Sequence, residues 1–225
     1  MAGSTFGPGV FVTGTGTEVG KSVVAAAIAR ALAAEGRRVA VFKPALTGLE
    51  EPGEADHALL RRAAGSSQSD AEIAPYRYEP PASPHLAAEM AGEEISTESL
   101  LAAAGAAAEG GDVLVCEGVG GFLVPLTRSY LVRDFAAELG LPLVIAATPG
   151  LGTINHTLLT IEAARGAGLD VEAVVLTPWP ERPSPIEESN RATIAALGKI
   201  VVKTLPPLDL AAPESWPDLA LGALG

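Results

Sequence analysis

The sequence predicts an α/β fold, a mainly parallel sheet flanked by helices, and three observations predict it. Short apolar, β-branched runs recur along the chain, longer Ala/Leu-rich segments separate them, and glycines closely follow many of those segments. The runs lack polar alternation, as strands covered on both faces should. Their alternation with helices is the pattern of a parallel sheet joined by right-handed crossovers.

In chain order, the expected strands are residues 10–13, 38–43, 112–117, 142–147, 173–177 and 200–205. The expected helices between and after them are 22–35, 55–64, 96–109, 131–139, 153–167 and 186–197. Gly36, Gly110, Gly140, Gly168 and Gly198 stand where a glycine C-cap would end a helix. No repeat or low-complexity linker divides the chain, so residues 1–225 are expected to form one domain. The Pro-rich stretches 75–84 and 178–185 are expected to be surface loops, and 210–225 suits a docked terminal helix.

Composition narrows the function. The chain is 48% hydrophobic but only 4% aromatic, so its core must be built from Ala, Val, Leu and Ile. Its 27 acidic against 15 basic residues give a net charge of −12. That balance excludes a non-specific nucleic-acid binder and an electrostatic lipid binder. The lone Cys116 can form no intramolecular disulfide, supplies no multi-thiolate zinc site, and reads as an inert strand hydrophobe. Residues 1–9 lack a basic segment followed by an apolar one, so no secretory signal is expected. Residues 139–161 carry no Asp, Glu, Lys or Arg, but Pro142, Pro149, Gly150 and Gly152 break them into strand, turn and helix. The expectation is a cytoplasmic protein without a membrane or nucleic-acid partner.

The strongest local signal is Gly14-Thr15-Gly16-Thr17-Glu18-Val19-Gly20-Lys21-Ser22, between the first expected strand and the first expected helix. That is the context of a phosphate-binding loop. Glycines let backbone amides turn inward, and the helix N-terminus adds partial positive charge toward an anion. Lys21 would reach the β- and γ-phosphates and the Ser22 hydroxyl would ligate Mg²⁺. The motif is one residue longer than usual when counted from Gly14. Attraction of this kind is local, which lets an acidic protein bind an acidic nucleotide.

Two further motifs close strands. Lys43-Pro44-Ala45-Leu46-Thr47-Gly48 ends the second, and Glu117-Gly118-Val119-Gly120-Gly121 ends the third. Carboxyl ends of strands line the ligand crevice of open α/β sheets. Lys43 therefore falls near the phosphate loop, and Glu117 reads either as a Mg²⁺ ligand or as the cap of a Gly-rich turn. Asp56 opens the second expected helix, where an acid is ordinarily a cap.

Together with Ser83-Pro84-His85-Leu86-Ala87-Ala88 and Leu151-Gly152-Thr153-Ile154-Asn155-His156, these motifs resemble the ATP-dependent dethiobiotin synthetase family over nearly the whole chain. The resemblance implies a homodimeric α/β enzyme of biotin biosynthesis that joins CO₂ to 7,8-diaminononanoate (7,8-diaminopelargonate). A substrate amine captures CO₂ as a carbamate, the carbamate attacks the γ-phosphate of ATP, and the second amine displaces phosphate to close the ureido ring. By the same resemblance Lys43 and Lys21 are catalytic, and Ser22, Asp56 and Glu117 hold Mg²⁺. Glu18, Val19, Gly20, Lys21, Ser22, Val23, Asp56, Glu117, Gly118, Val119, Gly120, Thr177, Pro178, Pro206, Pro207 and Leu208 match nucleotide-contacting positions. Thr17 and Thr47 match positions beside the reacting amines. Gly152, Thr153, Ile154 and Asn155 match a turn that takes the substrate carboxylate from the neighbouring subunit.

The chain departs from the family pattern at Gly16, where many members carry Asp, and at Val119, where a smaller residue is common. It departs again at Thr177-Pro178, where many carry an Asn that reads the adenine edge. Thr177 cannot read that edge bidentately and Pro178 has no amide donor, so relaxed base selectivity and use of other nucleoside triphosphates are expected. The alternative is a P-loop ATPase switch of the partition type. Those proteins carry a signature lysine early in the loop, where this chain has Gly16. An amidoligase would need a glutaminase domain, and a non-catalytic module would leave Lys43 and Glu117 without purpose.

Overall fold

The computed structural model describes residues 6–49 and 54–219. In chain order the strands are β1 (Gly9–Gly14), β2 (Val39–Phe42), β3 (Ala45–Leu46), β4 (Tyr76–Arg77), β5 (Val113–Glu117), β6 (Leu143–Ala147), β7 (Val171–Leu176) and β8 (Val201–Thr204). Six of them form one parallel sheet in the order β2-β5-β1-β6-β7-β8, and β3 and β4 pair separately, also in parallel. The six apolar runs are thus the six strands of the main sheet, with ends displaced by one or two residues.

The helices are α1 (Lys21–Ala34), α2 (Asp56–Ala64), α3 (Asp70–Ile73), α4 (Pro84–Met90), α5 (Thr97–Glu109), α6 (Val132–Leu139), α7 (Thr153–Gly166) and α8 (Pro185–Gly198). They cover both sheet faces, and the period of two along each strand divides the core between them. Phe11, Leu114, Ile145 and Val174 face α5 to α8, in a cluster with Leu100, Phe135, Ile161 and Ile194. Val10, Val12, Val115, Val144 and Val175 face the other way, against Val24, Ile28 and Leu60 of α1 and α2. Ala25, Ala26, Ala27 and Ala29 of α1 are all buried, so alanines let this helix sit close on the sheet in a core poor in aromatic rings.

Several expectations are corrected. The stretch 75–84 is not simply loop: it holds β4 and the first residue of α4. The short α3 was not legible by periodicity; a capping box of Ser69 and Glu72 fixes it. Gly36, Gly140 and Gly168 do take left-handed conformations after their helices. Gly110 stays right-handed, and Gly198 lies inside α8, which ends on a left-handed Lys199 with φ of 47°. Gly198 instead sits in tight packing: a Cβ there would stand 3.0 Å from Ile161 Cδ1, so that side chain would have to shift. Residues 210–219 hold a single 3₁₀ turn, Pro213–Ser215, rather than an α-helix; the rest of the expected terminal helix, 220–225, lies outside the described residues. Among the described residues no helix is long and apolar enough to cross a membrane.

Candidate active site

The central strand β1 runs into α1 through the glycine loop. The Thr15 amide donates to the Ala146 carbonyl on β6 at 3.1 Å, anchoring the start of the loop. Glu18 and Gly20 are left-handed, with φ of 58° and 87°. At Gly20 an added Cβ would meet Thr177 Cγ2 at 2.5 Å, so both the backbone conformation and the close approach of the β7 end require glycine. No side chain caps α1, which leaves its first-turn amides and dipole available to an anion. Buried Lys21 donates from Nζ to the Gly16 carbonyl at 2.8 Å, back across the loop.

Three other segments bring charge to this loop. Lys43 follows β2 and is buried, its amide held by the Ile73 carbonyl at 2.8 Å. Glu117 ends β5 and is fully buried. Asp56 is the first residue of α2, but its side chain does not cap that helix. Instead Asp56 Oδ2 accepts from Lys43 Nζ at 2.6 Å, and its Oδ1 lies 2.7 Å from Ser22 Oγ. Glu117 Oε1 lies 2.6 Å from Lys43 Nζ and 2.8 Å from Ser22 Oγ.

This arrangement sets the charge of each group. Burial alone would neutralise Lys43, but Glu117 and Asp56 outweigh it and hold its ammonium form above the usual range. Burial likewise opposes the Asp56 carboxylate and is outweighed chiefly by Lys43, so its pKa is lowered. Glu117 goes the other way: complete burial raises its pKa, with Lys43 offsetting part of the rise. Burial also lowers the pKa of Lys21, against the pull of Glu117. Cys116, buried beside Glu117, is pushed well up and is inert as expected.

The donors fall short of the acceptors. The single Ser22 hydroxyl proton faces two carboxylate oxygens, and the buried Glu117 Oε2 has no hydrogen-bond partner. A buried carboxylate oxygen left unpaired is costly. One hydroxyl and two carboxylates are the donor set of a hard divalent cation that completes its shell with water and phosphate oxygens. The residues therefore fit Mg²⁺.

The groups open onto a cleft of about 740 Å³. Of the sequence-derived candidates, Thr17, Glu18, Gly20, Lys21, Ser22, Val23, Lys43, Thr47, Asp56, Glu117, Val119 and Gly120 line it. Gly118 lies beneath, its amide donating to the Val12 carbonyl at 2.9 Å. Thr177 packs on Gly20, and the Trp179 amide donates to the Leu205 carbonyl at 2.8 Å, tying Pro178 to the segment that leads to Pro206, Pro207 and Leu208. Gly152, Thr153, Ile154 and Asn155 do not line this cleft. They form the uncapped start of α7 beside Leu151, which is 97% exposed. Sequence reasoning gave no role to Ser83, Glu54 and Val124, which also line the cleft. Only Ser83 carried a signal, inside the Ser83-Pro84-His85 motif.

A parallel sheet with a glycine loop closing on Lys21 and Ser22, and a carboxylate at the next strand end, defines a P-loop nucleotide-binding protein. A family model described as an AAA domain matches residues 8–215. The chain is 35% identical over 200 residues to an ATP-dependent dethiobiotin synthetase BioD of Bacillus subtilis (strain 168), covering 88% of this chain and 87% of that one. It is 42% identical over 191 residues to the protein of the same name from Anaeromyxobacter dehalogenans (strain 2CP-C), covering 84% and 85%. The chain belongs to the ATP-dependent dethiobiotin synthetase family. In fold it is also similar to a nucleotide-binding protein in complex with ADP from Archaeoglobus fulgidus, with a TM-score of 0.50 at 19% identity over 94% of this chain and 90% of that one.

Proposed function

We propose that the protein is an ATP-dependent dethiobiotin synthetase, a cytoplasmic homodimer that closes a ureido ring from 7,8-diaminononanoate, CO₂ and ATP. The observation that carries this reading is the meeting of Lys43 with Ser22, Asp56 and Glu117 beside the phosphate loop. Phosphoryl transfer to an anionic carbamate demands positioning and charge stabilisation rather than a strong base. Lys43 suits the carbamate and the transferring phosphoryl group, because its neighbours keep it an ammonium. Lys21 would exchange the Gly16 carbonyl for phosphate oxygens, and the first-turn amides of α1 would hold the β-phosphate.

Ser22, Asp56 and Glu117 would hold Mg²⁺, which would supply neutralisation of the phosphate charge. Thr17 and Thr47 would fix the reacting amines. The turn at Gly152, Thr153, Ile154 and Asn155 would take the substrate carboxylate in the cleft of a second copy; its separation from its own cleft and the exposure of Leu151 support this. Two hydrogen bonds hold the turn: buried Asn190 donates from Nδ2 to the Pro149 and Gly150 carbonyls at 2.9 and 3.1 Å. Phosphate release from Mg-ATP, bicarbonate and 7,8-diaminononanoate tests the reading. Release that requires the diamine supports it, and release indifferent to the diamine sinks it.

A further inference from the structure

Within the motif Ser83-Pro84-His85, Ser83 and Pro84 line the cleft yet have no part in the chemistry above. Among the described residues four helices begin at a serine N-cap. Ser69, Ser96 and Ser184 each accept a backbone amide of their own helix, and Ser83 alone does not. Its hydroxyl instead lies 3.0 Å from His85 Nδ1. Ser83 also faces the cleft. The segment leading to it runs beside Thr47: the Gly48 amide donates to the Pro80 carbonyl at 3.1 Å, and the Tyr78 amide to the Leu46 carbonyl at 2.9 Å. His85 lines a second cavity of about 450 Å³, together with Ala88 and Glu89 of α4. A hydroxyl–imidazole pair thus joins the reaction cleft to a separate polar cavity.

The proposed reaction needs such a connection. An alkylammonium titrates near about 10, so the substrate nitrogens arrive protonated and cannot attack until a proton leaves. The cleft's lysines are donors, the carboxylates of Asp56 and Glu117 are engaged by Lys43 and Ser22, and Glu54 pairs with Arg62. Among the described residues the remaining carboxylate of the cleft, Glu18, lies exposed on the loop rim. Imidazole can accept a proton at one ring nitrogen and release one from the other, which suits it to this step.

We infer that Ser83 and His85 form a proton relay that deprotonates a substrate amine before it attacks. The inference rests on the synthetase reading. An N–H bond of the ammonium breaks, its electron pair staying on nitrogen as the nucleophile, and the proton passes to Ser83 Oγ. The Ser83 hydroxyl proton moves at the same time to His85 Nδ1, giving an imidazolium that releases its Nε2 proton to solvent in the second cavity. The charged groups around that cavity are Glu89 on α4, Glu93 and Glu94 just after it, and Arg128 from the loop before α6, which pairs with Glu89 at 2.7 Å. Ser83 is the group that would touch substrate; His85 acts through it.

The test is the pH profile of kcat/KM for the diamine in wild type, Ser83→Ala, His85→Ala and His85→Asn. The expected result is a loss of about 100-fold at pH 7 in each variant, shrinking as pH rises toward that of the free amine. Added imidazole should restore His85→Ala. The double variant should be no worse than the weaker single one, because the pair acts as a unit. Unchanged melting temperature and ATP affinity would separate this from misfolding. A profile parallel to wild type, or a loss that imidazole does not restore, overturns the relay while leaving the synthetase reading intact. Wild-type enzyme without diamine-dependent phosphate release overturns that reading itself.

Discussion

Lys43 and Glu117 are 74 positions apart, and Lys43 Nζ lies 2.6 Å from Glu117 Oε1 in the interior of the protein. The pair joins the carboxyl ends of two adjacent strands, and Ser22 of the phosphate loop touches the same oxygen.

Removing the lysine should uncouple binding from turnover. Lys43→Ala is expected to bind nucleotide with near-normal affinity and to lose at least about 100-fold in kcat, read by calorimetry and phosphate release. A near-normal rate would show that Lys43 has another role. The variant should also lose stability by about 3–5 kcal/mol at neutral pH, because a buried carboxylate loses its partner. The pH sign follows from Glu117, whose folded pKa is already raised and would rise further. Stability is then fully present below the unfolded carboxylate pKa and lost as pH rises through the folded one. The melting deficit of the variant should therefore shrink on acidification from pH 8 to pH 5.

Metal dependence should follow the Ser22 hydroxyl. Ser22→Ala and Glu117→Gln are each expected to raise the Mg²⁺ concentration at half-maximal rate by about tenfold or more, while Ser22→Thr should stay close to wild type. Identical magnesium titrations for all three would remove these residues from the metal site.

Mixed dimers probe the turn before α7. Lys43→Ala and a Gly152→Pro chain should each be inactive alone. Refolded together, they should recover about a quarter of wild-type activity, since half of the dimers would carry one intact site. No recovery, with heterodimers present, would mean that each chain uses its own turn.

Base preference should be weak. Thr177 and Trp179 spend their amides on the Ala147 and Leu205 carbonyls at 2.9 and 2.8 Å. Pro178, Pro206 and Pro207 have no amide to give. Initial rates with sub-saturating ATP, CTP and GTP are expected to agree within about tenfold, a gap of about 1.4 kcal/mol. A strong ATP preference would defeat this.

Much of the site was legible because its signals are local. Gly20, Lys21 and Ser22 lie within one loop, and strand-end placement marked Lys43 and Glu117 as candidates. Asp56 was ambiguous, since an acid opening a helix usually interacts with that helix; only the neighbouring Lys43 and Ser22 draw its carboxylate away. Ser83 was hidden by the same rule, being placed as a cap and used otherwise.

The sequence by itself determined the alternation of buried strands with helices and the loop that would meet a phosphate, because hydrophobic period and glycine spacing act over a few neighbouring residues. Tertiary structure decided the strand order that sets β5 between β1 and β2, the separate pairing of β3 with β4, and the start of α7 apart from its own cleft. Two-residue strands have no period to read. Strand order depends on how helices pack across the sheet, and that packing brings Ser22, Lys43, Asp56 and Glu117 into contact.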